Sequence, residues 1–367
     1  MNQKIDVAAY IWPAYTGKEP RTKIFWPEGT GEWETVREAR PKFEGHLWPR
    51  KPLWGYTDEA DPAVMEMQIN EALRHGVNVF IYDWYWFDER PFLEQCLNEG
   101  FLKARNNGDM KFYLMWANHD ANYSWDRRIS SCDERRTVIW KGTTNTDNFK
   151  IIGRRWLENY FTLPNYYKIN NKPLISIYDL RNFIDTFGSI EKTSEMMKWL
   201  DSEAKNYGLD GVHFQVIHTG NNPLNLSGVD GAPVLEDVIG ELPFASITHY
   251  QYCHFTNVGR DYAEAMIDVR AEWERVSDKF EATYFPHVSI GWDNNPRFSV
   301  LRPNILTNNT PKAFEEALAD AKEFAERRGV NMITVNSWNE WTEGSYLLPD
   351  NLYGYGYLEA VKKIFKD

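Results

Sequence analysis

Residues 332–344 of the chain read MITVNSWNEWTEG. The segment begins as a short apolar run with β-branched residues, which is the pattern of a buried strand. It then becomes polar and carries two carboxylates, Glu340 and Glu343, among tryptophans and asparagines. Cleavage of a glycosidic bond needs acid and base groups, and flat apolar faces on which a sugar ring can rest. The stretch therefore predicts a strand that ends in a sugar-active site.

Seven earlier segments show the same succession of an apolar strand-like run, a polar or aromatic stop and a helical pattern. These predicted strands cover residues 5–10, 77–82, 111–116, 173–178, 212–217, 245–248 and 287–290, and the eighth begins at Met332. Strands that alternate with helices form a parallel sheet buried on both faces. Eight such units in 367 residues predict an α/β fold, a single-domain (β/α)8 TIM barrel over residues 1–367 with enlarged βα loops.

A doubly wound open sheet is the alternative arrangement of these elements. It predicts a glycine-rich phosphate-binding loop after the first strand. No such motif follows Tyr10, so we expect the barrel.

Helix signals follow most of the strands. Asp61 fits an N-cap, Pro62 fits a first helical turn and Gly76 fits a helix end. Further helices are predicted at 91–106, 147–160, 193–207, 261–279, 311–328 and 355–365. Two long segments lack such a pattern: a loop between the first strand and the first helix, about 15–61, and a Gly/Asn/Pro-rich loop at 220–245. Loops of this length in a compact domain are usually functional.

Polar and aromatic residues follow nearly every predicted strand, whereas the strand interiors are apolar. In a parallel barrel the carboxyl ends of all strands meet on one face, where the active site is built. We therefore predict Glu340 and Glu343 as the catalytic pair. The predicted substrate contacts are Tyr10, Asp83, Trp84, His119, His218, Tyr250, Trp292, Trp338 and Asn339.

Each of the carboxylates also has a purely structural interpretation. Glu340 and Glu343 could lie in the first turn of a helix, where acidic residues stabilise the positive end of the dipole. On such a turn the two side chains would share one face. Asp83 could serve as a third carboxylate or as an ion-pair partner of Arg50 or Arg127.

Three histidines, His119, His218 and His249, follow three different predicted strands. A metal site needs three or four converging ligands, and these residues show no local ligand spacing. They are therefore predicted to bind sugar hydroxyls or to pack in the core. We expect no metal and no other cofactor.

Charge and composition restrict the partners of the protein. The formal net charge is −12 and the sequence pI is about 5.3. Nucleic acid calls for a basic surface, so we expect no nucleic acid partner. Aromatic residues make up 15% of the chain, which suits a large core and a carbohydrate site equally well. The expected partner is a carbohydrate substrate, and the oligomeric state is left open.

Cysteine usage and hydropathy bear on the compartment. The three cysteines, Cys96, Cys132 and Cys253, match no zinc or redox spacing. No run of about 18 apolar residues exists, so no membrane span is expected. The N-terminus lacks the apolar run of a signal peptide. The chain as it stands is predicted to be cytoplasmic, or periplasmic or secreted if a signal peptide was removed.

Several motifs together resemble the WbsX-like family, which is related to family 99 of the glycoside hydrolases, the endo-α-1,2-mannosidases. The motifs are residues 336–344 with Pro349-Asp350, and residues 43–50, 61–65, 83–87 and 116–119. They span nearly the whole chain. The resemblance implies a (β/α)8 barrel and hydrolysis, although the family name refers to a glycosyltransferase.

The resemblance also implies roles for the two glutamates. The Asn-Glu-Trp-x-Glu motif of family 99 falls on residues 339–343. It implies a retaining mechanism in which Glu340 is the base for the sugar 2-hydroxyl, and that hydroxyl attacks the anomeric carbon to form a 1,2-anhydro sugar. Glu343 would be the acid for the leaving oxygen and then the base for water.

The resemblance does not extend residue by residue to the other mannosidase subsites, and position 342 is Thr. Mannosyl, rhamnosyl, galactosyl and uronic linkages in a poly- or oligosaccharide therefore remain open. Two other functions also remain open: a glycosyltransferase of surface-polysaccharide biosynthesis, and a carbohydrate-binding barrel without activity. A transferase would need a nucleotide-sugar site, and the sequence has neither a phosphate-binding loop nor an Asp-x-Asp motif beside a strand.

Overall fold

The computed structural model describes residues 4–129, 132–220, 223–224 and 233–366. Its centre is one parallel sheet whose strands follow the predicted order along the chain. We number eight strands, the seventh of which has two segments. They are β1 Asp6–Ile11, β2 Val79–Phe87, β3 Lys111–Trp116, β4 Lys172–Ile177, β5 His213–Ile217, β6 Ser246–Thr248, β7 Thr283–Tyr284 with His287–Ser289, and β8 Met332–Asn336.

Strand β7 closes the sheet into a barrel. Its first segment pairs with β6 and its second with β8, and β8 in turn pairs with β1. Pro286 lies between the two segments, where a residue without an N–H interrupts the ladder. Backbone bonds continue the pairing on both sides, from Phe285 N to Ile247 O (2.9 Å) and from Thr334 N to Pro286 O (3.0 Å). The predicted (β/α)8 barrel is confirmed.

The helices begin and end largely where capping residues predicted. In the second helix the Asp61 side chain accepts a hydrogen bond from Ala63 N (2.8 Å), and Gly76 ends the helix at a φ of 97°. Among the described residues the α-helices are α1 Trp33–Glu38, α2 Pro62–His75, α3 Cys132–Arg135, α4 Thr146–Trp156, α5 Leu180–Phe187, α6 Ile190–Lys205, α7 Leu235–Glu241, α8 Tyr262–Lys279, α9 Pro311–Arg328 and α10 Gly356–Phe365.

The helix predicted at 91–106 is confirmed only in part, because helical turns cover residues 96–103 and neither turn is α-helical. That segment holds a short strand, Arg90–Phe92, a π-turn, Cys96–Gly100, and a 3₁₀ turn, Phe101–Lys103. The strand pairs back onto β2 and lengthens it beyond the predicted end. Gly100 lies against the preceding loop, since a Cβ at this position would come within 2.1 Å of Glu59 O. Tertiary packing therefore overrides a helical pattern here.

The two long loops are partly ordered by secondary structure. The loop at 15–61 contains the 3₁₀ turn Pro20–Ile24 and helix α1. In the loop at 220–245, residues 221–222 and 225–232 lie outside the described residues, and α7 occupies 235–241 rather than irregular chain. Among the described residues, no helix combines the length and apolar character needed to cross a membrane.

We predict that the close contact between the end of β7 and the chain after β8 makes Gly291 irreplaceable. A Cβ at Gly291 would lie 2.6 Å from Gly344 O and 2.3 Å from Asn309 Nδ2. Gly291→Ala should therefore lower the free energy of unfolding by about 2 kcal/mol or more, as overpacked sites do. Urea unfolding measures this change.

The matched control is Gly240→Ala in α7, where a Cβ meets open space. Alanine is favoured over glycine in a helix by about 1 kcal/mol, so this variant should be as stable as the wild type or more so. Equal stability of the two variants would contradict the proposed contact.

Candidate active site

The two predicted catalytic glutamates lie on a hairpin that follows β8. Its short strands, Asn339–Glu340 and Ser345–Tyr346, pair in antiparallel fashion around a 3₁₀ turn. Ser337 holds the hairpin: its Oγ accepts from Glu340 N (2.7 Å) and donates to Ser345 O (2.7 Å). The pair does lie at the start of a helical turn, with Glu340 as the N-cap and Glu343 in the turn, but this is a three-residue 3₁₀ turn within the hairpin. Hydrogen bonds of the hairpin, not a helix dipole, position both carboxylates.

Arg297 joins the two carboxylates. It ends the 3₁₀ turn Asn295–Arg297 in the segment after β7 and is buried. Its Nη1 donates to Glu343 Oε1 (2.7 Å), and its Nη2 lies 3.3 Å from Glu340 Oε2. Its Nε donates to a third carboxylate, Glu32 Oε1, at 2.9 Å. One guanidinium thus holds three buried acidic side chains together.

Asp293 anchors the segment that carries Arg297. It accepts hydrogen bonds from Trp48 Nε1 (2.5 Å) and Asn295 Nδ2 (2.7 Å), and His46 Nε2 lies 2.7 Å away. Its backbone N–H donates to Glu343 O (2.6 Å). Burial raises the pKa of Asp293, but the hydrogen bonds from His46 and Trp48 outweigh burial and lower it. The charged Asp293 therefore ties the loop at 15–61 to the hairpin.

A cavity of about 240 Å³ opens beside the two glutamates. Its walls are largely aromatic, and its apolar part includes Met115 and Ala117. Trp12 is fixed there because its Nε1 donates to Glu32 Oε2 (2.6 Å). The lining residues are Trp12, Asp83, Tyr85, Met115, Ala117, His119, Ser124, Trp125, Tyr178, Tyr250, Arg297, Glu340 and Glu343. Flat rings around carboxylates suit a sugar ring.

Three predicted contacts, Asp83, His119 and Tyr250, line this cavity with the glutamate pair. The Tyr250 hydroxyl lies 3.0 Å from Asp83 Oδ2 and 3.4 Å from Glu340 Oε1. Asp83 is therefore bound to a tyrosine, not to Arg50 or Arg127 as the alternative proposed. Its Oδ1 is buried without a hydrogen-bond partner, which leaves one acidic oxygen available to a ligand.

Tyr10 and Asn339 lie behind the cavity and support its walls. The Tyr10 ring packs edge-on against Tyr250 with centroids 4.8 Å apart. The Asn339 side chain accepts from Trp12 N (2.8 Å) and donates to Trp12 O (2.9 Å). It also donates to Glu59 Oε2 (2.9 Å). Both residues are fully buried, so they position cavity residues rather than reach a ligand in it.

Four predicted contacts do not line the cavity. Trp84 donates to Glu94 Oε1 (2.7 Å) and Trp338 donates to Gln68 Oε1 (2.7 Å). His218 is bound to Glu236 (3.0 Å), and Trp292 packs against the core. Side chains alternate between the faces of a strand, so Asp83 and Tyr85 face inward while Trp84 faces the helices. The positions of these four side chains do not support the predicted sugar contacts.

Burial and mutual repulsion control the protonation of the site. Burial, followed by the charge of Glu343, raises the pKa of Glu340 well above its ordinary value. Burial also raises the pKa of Glu343, although Arg297 opposes this. Burial raises the pKa of Asp83 as well. Two interacting acids titrate as a pair, and Glu340 has the more strongly raised pKa because Arg297 lies closer to Glu343 (2.7 Å) than to Glu340 (3.3 Å).

His119 is neutral at the cavity wall. Burial lowers the pKa of its imidazole below the ordinary value. Its Nδ1 lies 3.0 Å from Asp120 O, so Nδ1 carries the proton and Nε2 is left as a hydrogen-bond acceptor. A neutral histidine of this kind binds a hydroxyl group without adding charge.

Several site residues could not be found from the sequence patterns. Arg297 and Glu32 lie in irregular segments, and no motif marks either of them. Trp125 lies on a 3₁₀ turn within the polar insertion after β3. Tyr85 is separated from Asp83 by one residue on β2, so strict strand alternation would have identified it.

A closed parallel barrel with buried carboxylates and aromatic rings at the carboxyl ends of its strands defines the class of the protein, which is a (β/α)8 barrel. The family described as Glycosyltransferase WbsX matches residues 7–361. The chain belongs to this family, as the sequence motifs predicted.

Known proteins resemble the chain in sequence and in fold. The uncharacterized protein WxcX of Xanthomonas campestris pv. campestris is 26% identical over 355 residues, which are 94% of this chain and 47% of WxcX. The chain thus spans about half the length of the curated relatives it matches. The GH99 endo-alpha-mannosidase of Bacteroides thetaiotaomicron matches with a TM-score of 0.61 at 14% identity, over 97% of this chain and 95% of that one. A glycoside hydrolase-like protein matches with a TM-score of 0.63 at 14% identity, over 100% and 95%. These structures share the barrel fold.

We predict that Arg297→Gln destabilises the protein in a pH-dependent manner. Without the guanidinium, three buried carboxylates lose their counter-charge, which costs about 3 kcal/mol or more. The pKa values of Glu340 and Glu343, already raised by burial, then rise further above the unfolded values. The folded state therefore binds more protons, and its stability falls as pH rises. The deficit against the wild type should be larger at pH 8 than at pH 5 in urea unfolding.

Arg105→Gln is the control, because Arg105 is exposed and pairs with Glu66 (2.8 Å) at the surface. Its unfolding midpoint should match that of the wild type at both pH values. A deficit in Arg297→Gln that is constant with pH would show that the guanidinium does not control the carboxylates.

Proposed function

We propose that the protein is a glycoside hydrolase that cleaves a poly- or oligosaccharide with retention of configuration. The observation that carries this proposal is the pair Glu340 and Glu343, joined by Arg297, at the edge of an aromatic cavity. Carboxylates whose pKa values are raised by burial cost stability, and such groups cluster at functional sites. Glu343 keeps 12% of its side chain exposed, so a bound glycan can reach it.

In the first step, Glu340 takes the proton of the sugar 2-hydroxyl while the resulting oxygen attacks the anomeric carbon. The bond from that carbon to the leaving oxygen breaks, and Glu343 gives its proton to the leaving oxygen. A 1,2-anhydro sugar and the shortened glycan result. Acid and base act on neighbouring atoms of one sugar, and the strand and the 3₁₀ turn of one hairpin place both carboxylates at the same cavity.

In the second step, Glu343 takes a proton from water, and the hydroxide attacks the anomeric carbon. The three-membered ring opens, and Glu340 returns its proton to the 2-oxygen. Two displacements at the same carbon give net retention. Both glutamates recover the protonation with which the first step began, as microscopic reversibility requires.

Substrate binding completes the required distribution of protons. The pKa of Glu340 is the more strongly raised of the pair, whereas the first step needs Glu340 ionised and Glu343 protonated. A 2-hydroxyl that donates to Glu340 stabilises its ionised form and so lowers its pKa. The negative charge of Glu340 then favours the protonated form of Glu343, which Arg297 orients at 2.7 Å. Substrate binding thus favours the protonation states of the two glutamates that the first step requires.

The cavity supports recognition of one sugar ring beside the bond to be cleaved. Trp12, Tyr85 and Trp125 offer flat apolar faces, and their centroids lie within 6.0 Å of one another in pairs. Asp83, whose pKa is raised by burial, has an unpartnered oxygen that can bind a hydroxyl. Aromatic packing and a few placed polar groups are the common mode of small-ligand recognition.

Glycosyl transfer is the second candidate, because the family carries the description Glycosyltransferase WbsX. A nucleotide sugar brings two phosphates that need cations. Among the described residues lining the cavity, Arg297 is the one permanent cation, and three carboxylates already engage it. The acidic cavity therefore disfavours a diphosphate, and hydrolysis is the better supported activity.

We predict that Glu340→Gln and Glu343→Gln each reduce hydrolysis of a cleaved oligosaccharide by about 10²–10⁴-fold, the usual contribution of a general acid or base. A panel of oligosaccharides identifies the substrate, and release of reducing ends measures the rate. The control is Glu281→Gln, an exposed glutamate, which should leave the rate unchanged.

A glycosyl fluoride of the same sugar separates the two roles. Fluoride leaves without protonation, so Glu343→Gln should regain much of its first-step rate, whereas Glu340→Gln should stay inactive. Wild-type hydrolysis by either variant would contradict the catalytic pair. Tight calorimetric binding of a sugar nucleotide without any hydrolysis would favour the transferase.

A further inference from the structure

We infer that the protein has a divalent-metal site, separate from the active site, formed by His218, His249 and Glu272. The two histidines follow β5 and β6, and Glu272 lies on α8. Both imidazoles are completely buried. One ligand atom of each residue lies within 4.8 Å of the other two. The sequence showed no local ligand spacing, because three separate elements supply these groups.

The separations between these ligand atoms fit coordination to one shared metal ion better than direct hydrogen bonds. His218 Nδ1 and His249 Nε2 each lie 3.7 Å from Glu272 Oε1, which is too far for hydrogen bonds. Zinc binds nitrogen and oxygen ligands at about 2.0–2.2 Å in tetrahedral geometry, which separates neighbouring ligand atoms by roughly 3.4 Å. The two nitrogen–oxygen separations exceed this value by about 0.3 Å, and all three ligand atoms lie within 4.8 Å of one another.

The environment of His249 Nε2 is the observation that most directly indicates a ligand. This nitrogen is buried without a hydrogen-bond partner, and it faces the carboxylate of Glu272. Buried polar atoms are rarely left unsatisfied. His218 Nδ1 accepts only a long bond from Gly220 N (3.3 Å). Metal coordination satisfies both nitrogens at once.

The outer hydrogen bonds have the arrangement that metal-binding histidines use. His218 Nε2 lies 3.0 Å from Glu236 Oε1, and His249 Nδ1 lies 2.8 Å from the Tyr284 hydroxyl. Histidines that bind a metal through one nitrogen almost always use the other to bind a carboxylate or another oxygen. These bonds fix both rings, so that Nδ1 of one and Nε2 of the other converge on Glu272.

Two cations border the site and influence its affinity. Arg275 binds both oxygens of Glu272, with Nε donating to Oε2 (2.7 Å) and Nη2 donating to Oε1 (2.8 Å). The same Nη2 donates to Glu236 Oε1 (2.6 Å). Lys279 also binds Glu236. These charges balance the two carboxylates, so the imidazoles supply most of the attraction. Imidazole-rich sites select zinc and its neighbours over magnesium or calcium.

A metal bound at this second site would also stabilise the structure of the active site. His249 is followed by Tyr250, whose ring lines the cavity, and His249 O accepts from the Tyr10 hydroxyl (3.1 Å). A metal there would fix the end of β6 to α8. Tyr250 would then be held in place from the outer face of the barrel.

The full-length protein, dialysed against EDTA and then against buffer, tests the inference with Zn²⁺ alone and with Co²⁺. We expect one equivalent of Zn²⁺ by elemental analysis, a higher unfolding midpoint with Zn²⁺, and the visible absorption of tetrahedral Co²⁺. His218→Gln and His249→Gln should lose all three. His213→Gln is the control, because that buried histidine binds Ser246 (2.8 Å) away from the cluster.

Glu236→Gln keeps all three metal-binding groups and should weaken Zn²⁺ binding by about 10–100-fold, as loss of an outer partner does. The Glu236→Gln variant still tests the metal site if the histidine variants fail to fold. Failure of the wild type to bind Zn²⁺ or Co²⁺ would overturn the inference. Equal Zn²⁺ affinity of the wild type, Glu236→Gln and either histidine variant would overturn it as well.

Discussion

A single buried guanidinium, that of Arg297, meets three carboxylates from two separate parts of the chain. Glu32 comes from the loop after β1, and Glu340 and Glu343 come from the hairpin after β8. Buried charges are tolerated only when partners compensate for the lost hydration. The contacts of Arg297 therefore fix the loop after β1 and the hairpin after β8 in position relative to each other. The geometry of the candidate site depends on this one contact set.

The rest of the carboxyl face of the barrel serves to hold that contact in place. Asp293 binds His46 and Trp48 from the long loop and accepts from Asn295 beside Arg297. Asn339 binds both backbone groups of Trp12. Every one of these groups is buried, so each hydrogen bond lies in a low dielectric and is costly to break. The result is a preorganised site, which electrostatic catalysis requires.

The fold could be predicted because it follows from local periodicity. Apolar runs marked the strands, and Asp61 and Gly76 marked the ends of α2 through capping that acts within a few residues. The helix expected at 91–106 is shortened to π and 3₁₀ turns over residues 96–103, where Gly100 packs against the backbone of Glu59, a residue remote in sequence. Local sequence patterns cannot reveal a contact between residues that are far apart in the chain.

The candidate site could be predicted only in part, for a related reason. Glu340, Glu343, Asp83, His119 and Tyr250 lie at the ends of strands and face the cavity. His249 is adjacent to Tyr250 but points to α8, and Trp84 faces away from the cavity that Asp83 lines. An error of one residue in a predicted strand boundary exchanges the side chains assigned to the cavity with those assigned to the helices. Arg297 reaches the site from irregular chain, where no periodicity exists.

The central claim is that the two glutamates cleave a glycosidic bond through the sugar's own 2-hydroxyl. Proton NMR of the anomeric signals during hydrolysis of the first oligosaccharide found to be cleaved tests this most directly, when its 2-O-methyl analogue is followed in parallel. The proposed mechanism predicts that the product first appears with the configuration of the substrate and that the analogue is not cleaved. A first product of inverted configuration, or cleavage of the analogue at the rate of the parent glycan, would contradict it.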